Sequence, residues 1–91
     1  MIDPRKLRAA VKGYERDMIR FARDLVAIPS FSCGEGKLVA RIAQEMRKVG
    51  FDKVKVDRLG NIIGMIGTAK PRVMFDAHID TVGIGDPKAW K

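Results

Sequence analysis

The apolar residues of this 91-residue chain change period once, at Lys53, and that change limits what the chain can fold into. Before it they recur every three or four residues. Leu7, Val11, Tyr14, Met18, Phe21 or Ala22, and Leu25 fall on one side of a helix about five turns long. Leu38, Val39, Ile42, Ala43, Met46 and Val49 fall on one side of a second. After Lys53 they alternate. Val54 and Val56 stand between Lys53, Lys55 and Asp57, and Ile62, Ile63, Gly64, Met65 and Ile66 follow a Leu59-Gly60-Asn61 turn, the pattern of an antiparallel hairpin. A helix repeats its face at about 3.6 residues and a strand at two, so the expected order is helix, helix, hairpin.

The boundaries are written in capping residues. Asp3 can accept from the free N–H groups of the first helix and Pro4 suits its first position. Gly13 weakens that helix by roughly 1 kcal/mol against Ala, and Pro29 stops it near Ile28. Ser32-Cys33-Gly34-Glu35 reads as a capping box for the second helix. Gly50 stands where a left-handed residue closes that helix, and Phe51 can fold back on its last turn. Gly67 through Pro71 is a connector.

It leads to Val73, Met74 and Phe75, which suit a buried strand, and then to a strict alternation. Asp76, His78 and Asp80 would share one face of that strand, with Ala77, Ile79 and Thr81 on the other. A neutral imidazole ligates a divalent metal, and a carboxylate two residues away can take the hydrogen bond of its second nitrogen, fixing the tautomer. His78 is the only histidine, so no site of two imidazoles can form within the chain. On spacing alone, a satisfied polar pair at a strand end is the commoner reading.

Composition narrows the classes. With 46% hydrophobic and 32% charged residues the chain is globular, and 91 residues suffice for one small domain and not for two. Cys33 is the only cysteine, so there is no internal disulfide, which points to a reducing cytoplasm. It has no His or Asp neighbour to mark it as a nucleophile. No apolar run has the length of a membrane span, and the charged start does not read as a signal peptide. Gly64 and Gly67 precede no Gly-Lys-Ser/Thr, and Gly83-Ile84-Gly85 lacks a third glycine, so phosphate loops are excluded.

The net charge of +7 is concentrated at the front, where Arg5, Arg8, Lys12, Arg16, Arg20 and Arg23 would form one stripe. A solvated face, partly neutralised by Glu15, Asp17 and Asp24, accounts for it. The alternative is a small basic α/β module that binds nucleic acid or an acidic partner through its first helix. No aromatic platform, zinc-finger spacing or helix-turn-helix pattern accompanies the stripe.

Asp76-Ala77-His78-Ile79-Asp80-Thr81-Val82, followed by Gly83-Ile84-Gly85-Asp86 and Trp90, resembles the first metal-ligand segment of the co-catalytic zinc metallopeptidase family. That family includes acetylornithine deacetylase, succinyl-diaminopimelate desuccinylase, aminoacylase, peptidase T and the glutamate carboxypeptidases, and the likeness is nearest to its hydrolases associated with selenium metabolism. Leu25 through Ser32 with Glu35, and Asp57-Arg58-Leu59-Gly60-Asn61-Ile62, are similar to further segments of the same family, in the same order.

The resemblance implies an α/β fold: two N-terminal helices, a β-hairpin and a further strand, forming the N-terminal part of an α/β/α zinc-exopeptidase-like catalytic domain with a mixed sheet. Residues 1–91 would be one partial domain, without the lid or dimerisation domain. In the family two zinc ions sit at the strand ends. By position His78 would ligate one of them, and Asp80 would join the catalytic apparatus as the carboxylate that orients His78. Asp76 receives no role. The reaction implied is hydrolysis of an amide or peptide bond in a small peptide or N-acyl amino acid. A metal-bridging water attacks, a Glu acts as general base and zinc polarises the carbonyl.

The remaining ligands and the Glu would lie downstream, so the chain alone is expected to be inactive and not to bind zinc tightly. A later strand would lie between the hairpin and the His78 strand. Its absence is expected to produce self-association, direct pairing of the two, or disorder after about Asp80.

Overall fold

The structure is a computed structural model that describes residues 2–30, 34–81, 83 and 85–90. Its elements are α1 (Pro4–Gly13), α2 (Glu15–Ala27), α3 (Gly36–Lys48), β1 (Lys53–Val56), β2 (Ile62–Met65) and a 3₁₀ turn (Pro87–Ala89). Asp3 caps α1 as expected, its carboxylate accepting from the Arg5 amide at 2.9 Å, with Pro4 in the first turn.

The expected single long helix is instead two. The rod breaks at Tyr14 (φ −95°, ψ 2°), whose amide reaches back to the Val11 carbonyl at 3.0 Å. Two causes meet there. Gly13 is a poor helix residue, and Leu7, Val11 and Tyr14 remain exposed, so no packing holds the first half in line with the second.

Packing begins in the second half of α2, where Phe21, Leu25 and Ile28 are half-buried. Helix α2 touches α3, and α3 touches both strands, so α3 lies between α2 and the hairpin. Its Leu38, Val39, Ile42 and Ala43 are the buried apolar core among the described residues. Arg41 ties the two helices together from outside. It donates to Asp24 on α2 at 3.0 Å and to Glu45 at 2.9 Å, and its guanidinium lies 5.0 Å from the centre of the Phe21 ring. The bonds to Glu45 and Asp24 push its pKa up. Asp24 thus pairs with a cation of α3.

Helix α3 ends as its sequence requires. Gly50 takes φ +94°, its amide bonding the Arg47 carbonyl at 3.2 Å, and the Phe51 amide bonds the Met46 carbonyl at 3.0 Å. This pair of bonds is a Schellman motif, and it aims the chain straight into β1. The start differs from expectation. Glu35 occupies the N-cap rather than the third helical position, and α3 begins only at Gly36, so the capping box is not the helix start; Ser32 and Cys33 lie outside the described residues.

β1 and β2 pair antiparallel, with Lys53 opposite Met65 and Val56 opposite Ile62. The Asp57 carboxylate organises their turn. It accepts from the Leu59 and Asn61 amides at 2.9 Å each and from the Asn61 side chain at 3.0 Å, while Gly60 takes φ +90°. The Asn61 side chain first, then the backbone amides, hold the Asp57 carboxyl below its ordinary range. A depressed carboxyl stabilises the fold above its unfolded-state pKa of about 3.9, and the contribution disappears as pH falls through the lower folded value. Urea midpoints measured from pH 5 downward should therefore fall below about pH 4, and less steeply in Asp57→Asn.

Among the described residues the sheet is the two antiparallel strands β1 and β2; the mixed sheet belongs to the whole domain that the resemblance implies. Residues 66–81 lie outside any helix or strand, so the further strand is absent and has not paired with the hairpin. A strand exists only against a partner ladder, and among the described residues no later strand stands between the hairpin and this segment. Val73, Met74 and Phe75, expected to be buried, are exposed, Phe75 at 93%. The radius of gyration, 16.2 Å, exceeds the roughly 12 Å of a compact chain of this length. No helix among the described residues is long and apolar enough to cross a membrane.

Candidate functional site

The segment that carries His78 is positioned by one residue of the loop after α2. Ser30 is wholly buried; its hydroxyl donates to the Ile79 carbonyl at 3.0 Å, and its own carbonyl accepts from the Thr81 amide. Pro29, which ends α2, delivers Ser30 there. The segment is held on both sides of Asp80.

The Asp80 carboxylate and His78 Nδ1 stand 3.1 Å apart. An ionised carboxylate only accepts, so in the neutral ring this contact favours the tautomer with hydrogen on Nδ1, which leaves the Nε2 lone pair free. The imidazole is 86% exposed and Asp80 41%. Nε2 is therefore open to an arriving group, while the carboxylate behind it is more enclosed. Electrostatically the pair is modest at such exposure, and its value lies in orientation. Asp76 is exposed.

Among the described residues no three His, Cys, Asp or Glu side chains gather as they would around a metal ion. A structural zinc takes four protein ligands and a catalytic zinc about three. One imidazole and the carboxylate that orients it do not make such a site, so no chemical step through zinc follows from these residues alone. The contact can fix a ring and expose one nitrogen.

The basic stripe is divided by the Tyr14 break, with Arg5, Arg8 and Lys12 on α1 and Arg16, Arg20 and Arg23 on α2, all exposed. Asp3 lies 3.6 Å from Arg5. Cys33 lies outside the described residues. Ser30 carries no signal of its own in the sequence. Its role rests on a contact across 49 residues that no local period announces.

No family model matches the chain, and no solved structure matches it. It is 60% identical over 79 residues to the uncharacterized protein YgeY of Escherichia coli (strain K12), a match covering 87% of this chain and 20% of that protein. It is 31% identical over 81 residues to succinyl-diaminopimelate desuccinylase of Rhodopseudomonas palustris (strain BisA53), covering 81% of this chain and 21% of that one. The desuccinylase of Caulobacter vibrioides (strain NA1000 / CB15N) is 28% identical over 76 residues, covering 81% and 20%. The chain spans about a fifth of the length of these curated relatives. The likeness to desuccinylases supports, at the level of the family, the resemblance that the Asp76–Val82 string carries.

Proposed function

We propose that this chain is the N-terminal part of a zinc-dependent hydrolase of amide or peptide bonds, a metallopeptidase or deacylase. In it His78 is one zinc ligand and Asp80 the carboxylate that orients His78. The observation that carries the reading is the 26–31% identity, over about four-fifths of the chain, to proteins named for removing a succinyl group. The 3.1 Å contact that frees Nε2 supports it. The substrate class is a small peptide or N-acyl amino acid, and the place of action is the cytoplasm, in keeping with a single cysteine.

In this reading the chain does not act alone, since it supplies one ligand of the three that a catalytic zinc takes. What its residues contribute is orientation. Asp80 keeps the Nδ1 proton in place, so that Nε2 is presented as the donor. Calorimetric titration of the 91-residue chain with zinc is expected to find no nanomolar site. In a polypeptide that carries these residues at the relatives' full length, His78→Ala is expected to lower bound zinc and amide hydrolysis by more than about 100-fold, and Asp80→Ala by roughly 10–100-fold. Unchanged metal content and hydrolysis in His78→Ala would sink the assignment.

A further inference from the structure

A single residue grips both neighbours of Asp80. The Ile79 carbonyl and the Thr81 amide face the same way, as those of residues i and i+2 do along an extended segment, and Ser30 answers both. In a parallel ladder one residue donates its amide to the carbonyl before its opposite number and accepts from the amide after it. Ser30 makes that rung across from Asp80 with its hydroxyl in place of its amide. It is also the one wholly buried polar side chain among the described residues, so the hydroxyl has no water to turn to instead.

We infer that Ser30 is a positioning residue for the Asp80–His78 pair: by fixing the backbone on each side of Asp80 it aims the carboxylate at Nδ1 and so sets which ring nitrogen is presented. The inference rests on the proposed ligand role for its meaning in catalysis, though not for its test. With the two neighbouring peptides held, the Asp80 side chain has only its own rotamers to choose among, and the 3.1 Å contact selects one. With residue 79 released, the exposed end of the segment can turn, and the largely solvated pair loses the backbone that aims its carboxylate.

The test reads the tautomer of His78 by imidazole ¹⁵N shifts in the metal-free 91-residue chain, with the ring neutral, together with amide exchange. In the unaltered chain the Nδ1–H form is expected to be the major one. In Ser30→Ala it should become the minor one, and Thr81 amide protection should fall roughly two- to tenfold, the worth of one hydrogen bond, while α3 amides keep theirs. Asp80→Ala should abolish the tautomer preference and leave Thr81 protected, which separates loss of the carboxylate from loss of the grip. Should Ser30→Ala also strip protection from α3, Ser30→Cys, close in size and a weak donor, takes its place with the same expectation. An unchanged tautomer in either folded variant overturns the inference. Because no metal is present, this outcome is independent of the zinc measurements, and failure of the ligand role would leave it standing.

Discussion

Leu38→Ala should destabilise the chain by about 2–5 kcal/mol, as large-to-small changes at buried leucines do. Leu38 is only 3% exposed and shares the buried core with Val39, Ile42 and Ala43. All four lie on α3, with α2 on one side and the hairpin on the other. A cavity there loosens both contacts at once. Whole domains are stable by only about 5–15 kcal/mol, and a buried apolar core of four among the described residues leaves little reserve. A urea titration followed by circular dichroism checks this, and a midpoint within error of the parent would show that α3 is not the keystone.

Gly64→Ala is the second large effect, and its sign is set by space. Gly64 lies inside β2 opposite Val54, where Gly normally costs about 0.5–1 kcal/mol against Ala, so an unobstructed substitution would stabilise. Here the added methyl would stand 2.5 Å from the Phe51 ring and 2.7 Å from the Met46 sulfur. The thioether can move aside. The Phe51 ring, half-buried, would have to leave its rotamer to make room. Overpacking of this kind costs about 1–3 kcal/mol, which outweighs the gain. The loss should shrink when Phe51→Leu is present too, as a double-mutant cycle would show. Equal losses in both backgrounds would mean that the clash is not the cause.

These two sites show how far the sequence could be read. The buried face of α3, its ending at Gly50 and Phe51, and the Asp57–Gly60 turn are legible because each is made by residues within about one turn of one another. The break at Tyr14 was half legible. Gly13 marks the weak point, but whether the rod stays whole depends on packing that the apolar residues of α1 do not receive. The strand expected from 73 onward fails for the same reason in reverse. Alternation fits residues for a sheet, and only a neighbouring strand makes one. At the site, the 3.1 Å approach of His78 and Asp80 is an i, i+2 contact that spacing anticipates, whereas Ser30 meets it from 49 residues away.

That distance along the chain says when the grip forms. Joining two points 49 residues apart in a flexible coil costs about 3.5 kcal/mol of chain entropy. Two hydrogen bonds return about 1–3 kcal/mol, so the union cannot precede the helix and ribbon that lie between its partners and shorten the gap. The grip on the histidine-bearing stretch is accordingly expected to form only after those intervening elements have folded. A molecule that binds the histidine in this arrangement favours the latched state over the open one, and so stabilises a contact made far from itself in the sequence.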